Sequence, residues 1–309
     1  SSRTTIESYD AMGRPLSQTQ EFNTAGVWSQ KYRVSRTYNV GGGVLTETLP
    51  SGHTNTNTFD VAGRLTSFAG MVGDGVQRTY SSNPVFDEAG RVTREKFGTQ
   101  TALYHKQHFN VRGQMKDILL SSVDNDDDLN RGAIVNYYSE NQGFQSTGTD
   151  NNGNLRKQDT LIAKADGSFA LIDTRYGYDE LNRLEYAQEL IPGVQYDFTQ
   201  YNKYDRFGNR TIDPSSTGSI PKTVFNVDTP TNRLTPPTGQ GCAMNYDAAG
   251  NLINDTCSGA GQRNYDAENR MTAAQGGANA LWSSYAYNGD GQRIRRKLDG
   301  SNTEVWQVY

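Results

Sequence analysis

The feature that most constrains this 309-residue chain is a six-residue pattern that returns along its whole length. It reads aromatic, Asp or Asn, two variable residues, Gly or Asn, then Arg, Asn or Gln. The first matches are Tyr9-Asp10-x-x-Gly13-Arg14, Phe59-Asp60-x-x-Gly63-Arg64, Phe86-Asp87-x-x-Gly90-Arg91 and Phe109-Asn110-x-x-Gly113-Gln114. Tyr178-Asp179-x-x-Asn182-Arg183, Tyr204-Asp205-x-x-Gly208-Asn209 and Tyr246-Asp247-x-x-Gly250-Asn251 follow, then Tyr265-Asp266-x-x-Asn269-Arg270 and Tyr287-Asn288-x-x-Gly291-Gln292. Degenerate copies lie near Tyr38-Asn39, between Asp150 and Asn154, and between Asp228 and Arg233. With these included, residues 1–309 read as one array of about 12 copies, about 25 residues apart. Repeats of this length bury their faces by stacking on neighbours, so they dictate the fold before any other signal is weighed.

The chemistry of the pattern predicts its geometry. Asp or Asn opens a tight turn by bonding its side chain to the backbone two residues on. Gly or Asn four positions after the aromatic supplies the left-handed conformation that a type I turn plus bulge requires. The aromatic then ends one strand, and the Arg, Asn or Gln begins the next. Flanking segments such as Arg64-Leu65-Thr66-Ser67-Phe68 and Arg91-Val92-Thr93-Arg94-Glu95 alternate as half-buried strands do. Tyr, Phe and Thr favour strands as well. Helical periodicity is scarce, with Leu181 to Leu190 the nearest approach. The expected fold is all-β: an antiparallel hairpin-repeat sheet of some two dozen strands, which twist would curl into a wall. Tyr and Phe at equivalent positions would stack in ladders along one face. A propeller needs blades of roughly 40–45 residues and fits less well. Arg14, Arg64, Arg91, Arg183 and Arg270 are expected to bridge carboxylates of neighbouring copies.

Composition decides whether such a chain folds at all. Only 34% of residues are apolar, but 18 Tyr and 3 Trp add burial, and net charge is −4. Disorder would need few aromatics and high net charge, so a Tyr-rich core is expected instead. Mean hydropathy is −0.76, and no run of ~18 apolar residues could form a membrane-spanning helix. The near-neutral balance predicts no nucleic-acid partner. The chain opens Ser1-Ser2-Arg3 without Met or leader and reads as a piece of something longer. Cys242 and Cys257 are the only cysteines. A bridge between them would close a loop of about 15 residues, worth roughly 3 kcal/mol; two free thiols are the alternative. A composition rich in Tyr, Asn, Ser and Thr leans extracellular, which favours the bridge.

With its Tyr9-Asp10, Tyr178-Asp179 and Tyr246-Asp247 dipeptides, the chain resembles the YD-repeat, or Rhs, family. Local phrases agree: Asp150-Asn151-Asn152-Gly153-Asn154-Leu155, Asn182-Arg183-Leu184, Asn232-Arg233-Leu234 and Tyr287-Asn288-Gly289-Asp290-Gly291-Gln292-Arg293. The resemblance implies a spiralling β-sheet that encloses a hollow space. In toxin members such a shell surrounds a C-terminal effector; in surface members the repeats serve adhesion. It also implies a shell-closing core region with a self-cleaving aspartate site after the last repeats. Here the chain ends Glu304-Val305-Trp306-Gln307-Val308-Tyr309, on the aromatic of a further copy without its Asp. The only Asp-Pro pair, Asp213-Pro214, has surroundings unlike that site. No catalytic residue carries over. Expected partners are further repeats or the core region of the same protein, or end-to-end self-association through raw sheet ends.

Reactive constellations are sparse. His105-x-x-His108 would place its side chains on opposite faces of a strand, which disfavours a metal role. Asp124-Asn125-Asp126-Asp127-Asp128 has the start of a calcium-loop spacing. Leu129 stands where Gly is needed and Val135 where Glu is needed, so a solvated acidic loop is expected, with weak calcium binding the alternative. Gly41-Gly42-Gly43 reads as a loosened turn rather than a phosphate cradle. Neither a cofactor, a metal nor an enzymatic activity is expected. The chain reads as a non-catalytic segment of a secreted or cell-surface shell. The alternative is an adhesion surface on which Trp28, Trp282 and Trp306 bind glycan or protein.

Overall fold

The computed structural model describes residues 2–24, 26–99, 101–139, 150–190, 198–218, 225–276, 281–301 and 304–308; Ser1 and Tyr309 lie outside them. The structure is all-β, with 26 strands and no helix among the described residues. The segment with the nearest approach to helical periodicity is a motif turn followed by the strand Leu184–Leu190. Asn182, at φ +60°, breaks any helix there.

The described residues gather into two compact units, one of residues 1–35 with 223–309 and one of residues 36–222. In the first unit the strand Ser2–Tyr9 pairs antiparallel with Pro15–Thr24. That strand also holds the short Val27–Trp28 and the start of Tyr32–Tyr38. Asn226–Asp228 and Arg233–Thr235 form a two-stranded ribbon. A seven-stranded antiparallel sheet runs in chain order from Met244–Tyr246 to Glu304–Trp306. In the second unit, successive strands from Val44–Thr48 to Arg210–Ile212 pair with one another in chain order, all antiparallel. Chain-order pairing is what short hairpin turns impose, because two strands joined by a tight turn have no other neighbour within reach.

The core departs from expectation. Phe22, Val34, Leu119, Ala133 and Ile294 are the buried apolar residues, outnumbered by buried polar ones such as Thr19, Lys106, Asp117, Ser121 and Asn202. No described tyrosine is fully buried, and Tyr9 and Tyr201 are exposed. The other described tyrosines are half-buried, with an apolar ring against the sheet and a hydroxyl seeking a polar partner. Polar side chains are tolerated inside because they find hydrogen bonds within the sheet.

Candidate functional site

The repeat turn is the element that every copy builds. In the first copy the Asp10 amide donates to the Arg14 carbonyl at 2.9 Å, and the Gly13 amide to the Asp10 carbonyl at 3.0 Å. Asp10 Oδ1 accepts from the amides of Met12 and Arg14, both at 2.9 Å, while Oδ2 accepts from Arg14 Nε at 2.6 Å. Gly13 lies at φ +77°. The equivalent Gly63, Gly90, Gly113, Gly208, Gly250 and Gly291, with Asn182 and Asn269, share the left-handed region. Just before most of these turns the pairing slips by one residue, so Phe59 faces Leu65 and Tyr178 faces Leu184; Tyr204 faces Arg210 without a slip. That slip is the bulge a type I hairpin of this length requires.

The sixth residue of the motif closes the turn within its own copy. Arg64, Arg91, Arg183 and Arg270 each donate Nε to their own Asp60, Asp87, Asp179 and Asp266, at 2.7–2.8 Å. Asn209 and Asn251 do the same through Nδ2, at 2.7 Å to Asp205 and 2.9 Å to Asp247. Where the acid is replaced by Asn, the partner is Gln. Asn110 Nδ2 donates to Gln114 Oε1 at 2.7 Å, and Asn288 Nδ2 to Gln292 Oε1 at 2.8 Å. The two positions match by hydrogen-bond polarity: an acceptor-only carboxylate takes a donor, and an amide that presents N–H takes an amide oxygen. The expectation that these arginines bridge carboxylates of other copies is therefore corrected. A carboxylate four residues back, locked by two backbone amides, is the nearer target. These bonds hold the motif carboxylates below the ordinary Asp range: the Arg14 amide dominates at Asp10, the Arg91 guanidinium at Asp87, and the Asn251 side chain at Asp247.

Two further contacts join one copy to the next. The guanidinium of Arg64 lies over the Phe86 ring at 4.4 Å, Arg91 over Phe109 at 3.9 Å and Arg183 over Tyr204 at 4.5 Å. Arg233 over Tyr246 at 5.3 Å and Arg270 over Tyr287 at 5.1 Å repeat the arrangement. Among the described residues, motif rings of successive copies are not stacked in the ladder expected; each of these arginines instead covers the ring of the following copy. An intervening strand separates them by about two strand spacings, ~9.5 Å, beyond the 4.5–7 Å reach of ring pairs. A guanidinium fills that gap. In addition, tyrosine hydroxyls donate backwards to the strand that begins in the preceding copy. Tyr178 bonds Leu155 O at 3.0 Å, Tyr204 Leu184 O at 2.8 Å, Tyr246 Leu234 O at 2.9 Å and Tyr287 Met271 O at 2.7 Å.

Sequence reasoning missed several of these parts. An Asn two residues before the aromatic also reaches back: Asn202 to Leu184 O, Asn136 to Met115 O and Asn57 to Val44 O. The same backbone turn forms at Leu49–His53 and Lys164–Ser168 without the aromatic-acid pair. The signal there was only Ser51-Gly52 and Asp166-Gly167. Tyr38-Asn39 with Gly42 and Gly43 closes the same turn, with Gly43 N donating to Asn39 Oδ1 at 2.8 Å.

The other candidate residues are scattered. His105 stacks on Phe97 at 5.7 Å and faces Glu95, whereas His108 Nδ1 lies 2.6 Å from Asp117 Oδ1. His53 pairs with Asn55 at 2.7 Å. The acidic loop is not simply solvated: the fully buried Lys106 donates to the carbonyls of Asn125 and, at 2.7 Å, Asp128. An ammonium thus occupies the middle of the loop, where a cation would have to sit. Among the described residues no group of three or more His, Cys, Asp or Glu is placed to hold a metal. Asp213 pairs with Lys203 at 2.5 Å, which with the Ser215 amide takes its carboxyl down to about 2. Cys242 and Cys257 are joined, with Cα atoms 5.0 Å apart. Trp28 and Trp306 share a cleft of about 250 Å³ with Phe22 and Tyr32. Trp282 stands apart, paired across strands with Gln275.

No family model matches this chain, and no curated protein matches it by sequence. Solved structures do. The crystal structure of TcdB2-TccC3-Cdc42 superposes with a TM-score of 0.76 at 19% identity, covering 97% of this chain. The Photorhabdus luminescens Tc holotoxin pore, carrying a TccC3 mutation, gives 0.75 at 21% identity over 95% of this chain. These matches cover 16% and 15% of the respective chains, so this chain spans about one sixth of their length. The class is thereby defined: a hairpin-repeat β array. More particularly, its fold is the Rhs, or YD-repeat, fold of Tc toxin chains.

Proposed function

We propose that this chain is a stretch of structural wall, a curled β-sheet that contains or scaffolds other parts of a secreted or cell-surface assembly. Its neighbours are further repeats or the core region of the same protein, and its cargo is a toxin-like C-terminal segment. The observation that supports this is the use made of the motif. Its acid, glycine and sixth residue close the turns, and most of its aromatics fasten copies together. The fold shared with Tc toxin chains supports the same reading.

Small-angle X-ray scattering on the purified chain tests it. A compact 309-residue domain has a radius of gyration of about 19 Å. A wall built one hairpin deep should exceed that clearly, with a scattering profile of a hollow or plate-like body. A value near 19 Å with a solid-sphere profile would overturn the wall.

A second reading, a recognition surface for glycan or protein, is favoured by the open cavity lined by Asn245, Asn254, Gln262 and Asn264.

A further inference from the structure

In the second unit, strand pairing gathers three cations on one face. Across the strands Val92–Phe97 and Leu103–Phe109, Arg94 pairs with Lys106 and Lys96 with Tyr104. Residues paired in register share a face, as do residues two apart on one strand. Arg94, Lys96 and Lys106 therefore stand together. On the other side of Lys96, the strand Arg78–Phe86 pairs through Ser82, then bulges at Asn83 and Pro84 before Val85 meets Arg94. Asn83 sits there at φ +53°. A bulge re-aims the side chain it carries, and Asn83 lines a cavity of about 90 Å³ with Arg94, Lys96, Tyr104 and Asp124. The acidic loop after Ser121 offsets part of the gathered charge. Lys106 is enclosed by the carbonyls of Asn125 and Asp128, and Arg94 Nη1 donates to Asp124 Oδ1 at 2.8 Å. Among the described residues, Lys96 pairs with no carboxylate.

We infer that this cavity is a site for a phosphate-type oxyanion, and that the Asp124 carboxylate is its built-in occupant. The inference is independent of the wall and of the recognition reading. Two cations, a phenol and an amide line the cavity, and all four carry donors. A tetrahedral oxyanion can accept from several of them at once, each bond to a cation strengthened by charge. The Asp124 carboxylate, reaching in from one side, engages Arg94. Size is selective too. A water takes about 30 Å³ of liquid, so the cavity holds a compact oxyanion but no nucleoside. Its present occupant is easily displaced: the side chains of Arg94 and Asp124 are 32% and 43% exposed, and ion pairs that exposed are weak. Asp124 lies on an exposed stretch from Val123 to Asp127. Turning its side chain outward clears the cavity, while Lys106 keeps hold of the loop backbone.

The test is calorimetric titration of the intact chain with inorganic phosphate at low ionic strength, with glycerol phosphate and succinate as comparison ligands. Phosphate should bind, and Lys96→Met should weaken it about tenfold. Asp124→Asn should tighten it several-fold by removing the internal competitor. Asp126→Asn makes the same change of charge on the same loop and should leave affinity unchanged. If Lys96→Met fails to fold, Tyr104→Phe decides, with an expected loss of about threefold. Glycerol phosphate binding as tightly as phosphate assigns the site to a phosphomonoester, and binding of phosphate alone assigns it to the free ion. Succinate binding as tightly as phosphate overturns the tetrahedral ligand. Equal gains from Asp124→Asn and Asp126→Asn reduce the effect to net charge and overturn the occupant. Absence of phosphate binding even in Asp124→Asn overturns the site, and leaves the wall untouched.

Discussion

At the scale of single residues, the tyrosine hydroxyl separates two roles that a motif aromatic plays. Phe86 and Phe109 serve as platforms for a guanidinium, whereas Tyr204 and Tyr287 also tie down a carbonyl of the preceding copy. Leu184 O accepts from both Tyr204 and Asn202, while Tyr287 is the side chain that reaches Met271 O. Tyr287→Phe should therefore destabilise by about 0.5–1.5 kcal/mol, the net worth of one hydrogen bond, and Tyr204→Phe by less. Urea unfolding midpoints of the two variants check the order. Equal losses would mean that Asn202 does not stand in for the Tyr204 hydroxyl, and no loss in either that the ring alone matters. A close-packed glycine gives a sharper case. A Cβ at Gly177 would meet the Tyr186 ring at 2.0 Å. The two residues pair across strands, so the Tyr186 ring must swing off Gly177 to make room. Gly177→Ala should cost about 1–3 kcal/mol, measured by the same melt.

At the scale of the hairpin, stability should depend on acid in a defined direction. The carboxyls of Asp10, Asp60, Asp87, Asp179 and Asp266 are all held below their ordinary value by amides and arginines of their own turns. Outside the motif, Asp74 beside Arg78 falls to about 2. A depressed folded-state value means that the unfolded chain binds more protons, so stability rises with pH across the window. The contribution is whole above about 4, the unfolded carboxyl value, and is lost as pH falls through the depressed folded-state values, which for Asp74 lies at about 2. Turns built on Asn110 and Asn288 do not titrate. Amide exchange should thus lose protection at Arg183 before it does at Gln114 as pH drops; simultaneous loss would contradict the assignment. The hairpin was also where the sequence was most legible. A left-handed residue and an Asx bond are settled within six positions, so local chemistry alone locates Gly13 or Asn182. The partner of Arg183 was not legible, because Tyr204 becomes its neighbour only once two strands have been laid between them. Lys106 was invisible for the same reason: nothing near it in sequence shows that a loop some 20 residues on will close around its ammonium. Contacts between copies also needed the register, which a bulge before most motif turns shifts by one residue.

At the scale of the molecule, the Cys242–Cys257 bond spans a part of the array where strands are short, three residues in Met244–Tyr246 and four in Leu252–Asp255. Short strands bring few ladder bonds, so the crosslink has more to do there. Reduction, or the double substitution Cys242→Ser with Cys257→Ser, should cost about 3 kcal/mol for a loop of this length. The loss should concentrate in the unit that contains residues 223–309. Exchange or proteolysis that loosened residues 36–222 equally would show that the array melts as one body.

Where the motif carries an arginine, its guanidinium makes that hairpin a lender, the cation laid forward over the next copy's ring. Energetics of that kind are nearest-neighbour, like spins on a line. Adding a hairpin should add a fixed increment of stability, and melting should begin wherever a neighbour is lacking. A sequence insertion that lengthens one loop would do little harm, whereas one that displaces a single arginine would open a seam on both sides of it.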